Sequence, residues 1–232
     1  MSQARDAIFA ALGPSQTQSA DILRHADALL DRVAALRPNR VGDDLADSFL
    51  ARVTGPVIGA SGQRVTGVES VPDAVRAYLL AQDLPPSLAL QPHAKLLSLD
   101  WSGIETHHAI AVDEAVAVCF APYAVAETGS LVFRSGADMP VLFAFLPLHH
   151  IVVVDAASVV AWLEDCAAIE ASRATPRNLN LVTGASGTTD IEGALVRGAH
   201  GPAQLHIILV DPVLPPAEKL PSHVPATPDT SR

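Results

Sequence analysis

The chain has 232 residues, of which 49% are apolar and only 4% aromatic, and it carries a formal charge of −10. This length suits one domain with a sizeable aliphatic core, and the acidic balance excludes nucleic acid as a general partner, because it repels a phosphate backbone. Two cysteines, Cys119 and Cys166, are too few for a secreted disulfide framework and for an iron–sulfur cluster, which ordinarily takes four thiolates, so no cofactor is expected within the chain.

Residues 1–13 hold Asp6 and no long apolar run, so a signal peptide is not expected and a cytoplasmic location is. In residues 20–36, Ile22, Leu23, Leu29, Leu30, Val33 and Leu36 recur at helical spacing, and Pro38 ends the segment. A second short helix is expected over 45–53. Residues 1–55 therefore form a helical arm in this reading. From 56 onward strands and helices alternate: strand 56–60, helix 72–82, strand 87–90, a hairpin-like pair 109–112 and 115–120, and strand 130–133. The most apolar stretch, 140–163, is broken by Pro147, His149, His150 and Asp155, which excludes a spanning helix. Within it, residues 151–154 are a continuous β-branched run of the kind that fills a buried parallel strand. Helix 157–169, strand 179–183, helix 190–197 and strand 205–210 follow, the last three as a βαβ unit. The pattern predicts an α/β fold: an open, mostly parallel sheet with helices on both faces and an antiparallel portion in the middle, over residues 56–211. Six prolines punctuate residues 212–232, which read as an extended tail.

Three segments carry side chains suited to chemistry. In the first, strand 179–183 runs into Gly184-Ala185-Ser186-Gly187-Thr188-Thr189-Asp190. Glycines let backbone amides approach a ligand, a helix start favours anions, and open parallel sheets bind ligands beyond the carboxyl ends of their strands. Gly184, Ser186, Gly187, Thr188 and Asp190 are thus candidates for holding a small anion. The loop is neither a Walker A nor a GxGxxG motif, and a tight, capped strand-to-helix turn is the plain alternative. In the second, Glu127 precedes Gly129 and an apolar strand; a carboxylate there can act as base or nucleophile, or be a turn carboxylate satisfied by amides. In the third, Arg197 and His200 flank Gly198 and can neutralise an anion, or cap a helix. The pairs His107-His108 and His149-His150 point to opposite faces of a strand, and with no HExxH or CxxC no metal site is expected.

The run 183–202, continuing through Leu205-His206-Ile207-Ile208-Leu209-Val210, together with Glu127-Thr128-Gly129-Ser130 and His150-Ile151-Val152-Val153-Val154, resembles the LUD-domain family, lactate utilization protein C branch. The resemblance implies a fold similar to the sugar-phosphate isomerase and CoA-transferase group. It also implies a role beside two iron–sulfur proteins that together oxidise L-lactate to pyruvate, with the clusters in those partners. Two other readings stay open: a stand-alone CoA-transferase-like or acyl- or phospho-transfer enzyme using Glu127, and a module that binds a carboxylate metabolite.

Overall fold

A computed structural model describes residues 2–11, 20–30, 32, 41–189 and 195–213. It divides into two units, Met1–Arg40 and Val41–Arg232. The first holds helices α1 (Ser2–Ala11) and α2 (Ala20–Leu30). The second opens with α3 (Leu45–Thr54), whose cap residue Asp44 accepts the Asp47 amide at 2.8 Å. The sequence reading placed this helix in the arm; it belongs instead to the second unit, because Ala46, Phe49 and Val53 are buried in that unit's core.

The elements that follow are β1 (Ser61–Thr66), α4 (Val71–Ala81), β2 (Ser87–Leu90), α5 (Ala94–Leu97), β3 (Glu105–His107), β4 (Val116–Phe120), β5 (Tyr123–Val125), β6 (Ser130–Arg134), β7 (His149–Asp155), β8 (Val159–Val160), α6 (Leu163–Ala171), β9 (Leu179–Val182), β10 (Gly187–Thr189), β11 (Leu195–Arg197) and β12 (Gln204–Asp211). Six of the strands make a sheet in the order β1-β12-β7-β4-β2-β3, every neighbouring pair parallel. β4, β7 and β12 are covered on both sides, which is why their middles, Val116–Phe120, Ile151–Val154 and Ile207–Val210, read as apolar runs. Val116, Val118, Phe120, Ile151, Val153, Ile208 and Val210 pack with Val71, Val75 and Leu79 of α4. The alternate residues Ala117, Cys119, Val152, Val154, Ile207 and Leu209 pack with α3 and with a second sheet. That sheet has the order β8-β5-β6-β9; β6 is antiparallel to both β5 and β9. Helix α6 closes its far side through Cys166, which packs with Tyr123, Val125 and Val132.

Four local expectations differ from the structure. The strand placed at 56–60 is β1, Ser61–Thr66, because 56–58 form a turn ahead of it. The 109–120 hairpin is absent: β4 pairs in parallel with β2 and β7, and 109–112 is loop. Residues 156–160 are a 3-10 turn and the short strand β8, so the helix placed at 157–169 begins only at Leu163. The helix placed at 190–197 gives way to β11 at Leu195–Arg197, paired antiparallel with β10; Asp190 and the tail beyond residue 213 lie outside the described residues. No helix among the described residues is long and apolar enough to cross a membrane.

Two buried histidines set a pH dependence. His150 is fully buried against Phe133, and neither ring nitrogen has a partner among the described residues. His206 bonds Ser61 through Nδ1 at 2.8 Å, but its Nε2 has none. Burial lowers His150 to about 3 and His206 to about 4, whereas an unfolded histidine titrates near ~6.5. As pH falls, the unfolded state therefore takes up protons first. The stability these neutral rings allow is complete above about pH 6.5 and is lost as pH falls through the folded values. Urea midpoints should drop between about pH 7 and about pH 5, and His150→Leu should recover about 2 kcal/mol of that drop. An unchanged pH profile in the variant would show that His150 is not the group responsible.

Candidate functional site

Strand β9 ends at Val182 beside the start of β6, because the two run antiparallel with Leu131 opposite Val182. That register brings the glycine loop to the Glu127 turn. Ser130 Oγ lies 2.6 Å from Thr183 Oγ1 and 2.7 Å from Thr128 Oγ1, a chain of three hydroxyls. The turn itself is held by Glu127 N donating to Ala161 O at 3.0 Å and by Gly129 N donating to Val125 O at 2.9 Å. Ile58, from the turn before β1, touches both motifs. A Cβ on Gly129, where φ is +71°, would stand 2.7 Å from Ile58 Cδ1 and 2.8 Å from Arg52 Cγ. One on Gly184, where φ is +98°, would stand 3.1 Å from Ile58 Cγ2. Both positions need glycine for backbone angle and for space.

The loop then turns back. Ser186 N donates to Pro202 O at 2.7 Å, and Gly198 N donates to Ser186 O at 3.1 Å. Pro202 stands just ahead of β12, and Gln204 N donates to Leu148 O just ahead of β7. The loop therefore lies at the amino ends of the parallel strands, which corrects the expectation that it sits beyond their carboxyl ends. The reason is that β9 belongs to the antiparallel sheet, not the parallel one.

A cavity of about 260 Å³ opens here, lined by Gly184, Ser186 and His200, together with Thr183, Phe145 and Pro202. His200 reaches it because β11 runs antiparallel to β10, where a helix would have carried it away. Gly187 and Thr188 are on β10, opposite Arg197 and Val196, and do not line the cavity. Arg197 extends toward Gly59, where a Cβ would be 3.5 Å from its Nη2, and no carboxylate among the described residues pairs with it. Glu127 is half-buried in the adjoining turn but does not line the cavity. Sequence reasoning missed Thr183, Ser130 and Ile58. The hydroxyls were visible as Ser and Thr beside glycine in both motifs, whereas Ile58 carries no sequence signal. No group of three histidine, cysteine or carboxylate side chains among the described residues is placed to hold a metal.

The carboxyl ends of the strands hold a different set. Arg64 grips Asp211 with two hydrogen bonds and also reaches Asp47; those bonds from Arg64 hold the Asp211 carboxyl below its usual range. Lys95 pairs with Asp155.

Fold and site together define a doubly wound α/β protein with an antiparallel flank and a cavity at the amino ends of its parallel strands. The LUD domain model matches residues 84–210, more than half of the chain, and the chain belongs to the LUD-domain family. It is similar to Lactate utilization protein C of Geobacillus thermodenitrificans, 35% identical over 100 residues, covering 41% of this chain and 42% of that one. The protein of that name from Bacillus subtilis is 32% identical over 100 residues, with 41% and 42% covered. The match spans about two fifths of the length of these curated relatives. A solved DUF162 family protein from Deinococcus radiodurans shares the fold, with a TM-score of 0.51 at 19% identity over 72% of this chain and 96% of that one.

Substitution at the junction should be costly. Gly129→Ala must force a strained backbone angle and displace Val53, Ile58 or Arg52; a loss of about 2–4 kcal/mol in chemical denaturation is expected. A cost below about 0.5 kcal/mol would mean that the junction yields readily.

Proposed function

We propose that this protein is a component of an L-lactate oxidation system, acting with iron–sulfur partner proteins, and that the cavity at the amino ends binds a small anion. The observation that carries the role is the likeness to proteins named Lactate utilization protein C. The chain's two cysteines are both buried and unlinked, and burial pushes the Cys119 thiol well up, so the reading places the clusters in the partners. An anion is favoured there because Ser186 and His200 line the cavity and, among the described residues, no carboxylate does.

This reading is favoured over transferase chemistry at Glu127, because that side chain is not among those lining the cavity. Glu127 is then a turn residue whose backbone closes the junction. Deleting the gene should abolish or slow growth on L-lactate while sparing growth on pyruvate, in a strain without another lactate dehydrogenase. Equal impairment on both carbon sources would overturn the assignment. For the cavity itself, L-lactate or pyruvate should raise the thermal midpoint by mass action, and His200→Leu, at a residue that lines it, should remove most of that rise. A rise that survives the substitution would place the anion elsewhere.

A further inference from the structure

The outer strands of the two larger sheets are β1 and β3 in the parallel sheet and β8 and β9 in the other. An outer strand exposes unpaired amides and carbonyls, and proteins blunt such edges with charge, proline or brevity. β1 carries Arg64, β3 carries Glu105 and His107, and β8 is two residues long. β9, Leu179-Asn180-Leu181-Val182, has no charge and no proline, so nothing in its sequence discourages a further strand.

The register fixes where its backbone points. Ser135 N donates to Asn178 O at 3.0 Å, which continues the pairing that sets Arg134 opposite Leu179. Bonded pairs alternate along an antiparallel ladder, so Asn178, Asn180 and Val182 turn their amides and carbonyls toward β6. Leu179 and Leu181 turn theirs outward. Their side chains share one face and are 39% and 43% exposed.

A groove borders this edge. At one end a cavity of about 550 Å³ lies between Pro140 and Val141 on one side and Arg177 and Asn178 on the other. At the other end the amino-end cavity of about 260 Å³ lies between Phe145 and Leu181. Residues 139–145 thus run beside β9, and no backbone hydrogen bond joins them to it.

Charge selects the occupant. No carboxylate among the described residues lines either cavity. Residues 139–148 and 171–189 contain none, although acids outnumber bases 25 to 15 in the chain. Arg177 is exposed, and no carboxylate among the described residues pairs with it. An extended chain with apolar side chains against Leu179 and Leu181 and a carboxylate at Arg177 complements both the edge and its charge. Residues 212–232 hold no run of more than four residues without proline, and proline has no amide to give a ladder. A second copy's β9 would bring another Arg177 in place of a carboxylate.

We propose that the outer edge of β9 takes an extended, acidic segment of another protein as an added strand. The inference goes beyond the lactate reading and does not depend on the anion cavity. The probe is a blocked heptapeptide of alternating valine and threonine with a glutamate at one end, titrated into the full chain. Amide exchange and chemical shifts are followed. In the free chain the Leu179 and Leu181 amides should exchange fast and those of Asn180 and Val182 slowly. Saturating peptide should slow Leu179 and Leu181 by about tenfold or more, with shifts over 177–181. A counterpart ending in lysine should bind about tenfold more weakly, and one with two successive prolines at its middle should not saturate. Arg177→Glu should reverse the preference between the glutamate and lysine peptides, and Leu181→Lys should weaken both. Slow exchange of Leu179 and Leu181 in the free chain, no saturation at millimolar peptide, or equal binding of the two charged peptides would overturn the proposal. So would a dimer of the free chain that Leu181→Lys dissociates, because the edge then belongs to a second copy. Shifts confined to 184–202 would also overturn it while leaving the anion reading intact, since the peptide's carboxylate would then sit in that cavity.

Discussion

Burial of β4, β7 and β12 on both faces is the constraint from which the other features of the second unit follow. A strand covered twice has no polar face, so Ile151–Val154 and Ile207–Val210 are apolar on both alternations. One face takes branched residues and the helix α4. The other takes Ala117 and Cys119 of β4 with Val152, Val154, Ile207 and Leu209, and packs against α3 and the second sheet. Once both faces are closed, ligands can approach only at the ends of the strands. The polar residues of interest are accordingly gathered at the amino ends or the carboxyl ends.

How legible this was depends on whether a signal is local. The run 151–154, the helix at 72–82 and the strand 87–90 declare themselves by composition and period, and the structure places elements there. β1 does not: Ser61-Gly62-Gln63-Arg64-Val65-Thr66 has no apolar alternation, because it is an outer strand paired on one side only. The false hairpin at 109–120 arose because two short apolar runs around Asp113-Glu114 look like neighbours, whereas β4 finds its partners in β2 and β7. At the site, the antiparallel pairing of β6 with β9 brings the Glu127 turn to the 183–186 loop, and the Ser130–Thr183 hydrogen bond is that meeting. The end of the sheet at which they meet was not legible, since it depends on β9 pairing with β6.

The chain's acidity is unevenly spread, and α3 shows how. Its first turn holds Asp47, which reaches Arg64 beside Asp211 at the carboxyl ends. Its last turn holds Arg52, which lies against Gly129 at the amino ends. Acid at the start and base at the finish also match the helix dipole, so this placement stabilises α3 while it sorts charge. Arg52, Arg197 and His200 stand near the amino-end loops, whereas Glu69, Asp155 and Asp211 stand near the carboxyl ends. Local potential, not net charge, governs a small ligand at close range, so the chain's −10 does not fix the charge met at either end. Phe49, buried in the middle of α3 against the sheet, keeps the two charged turns at a fixed separation.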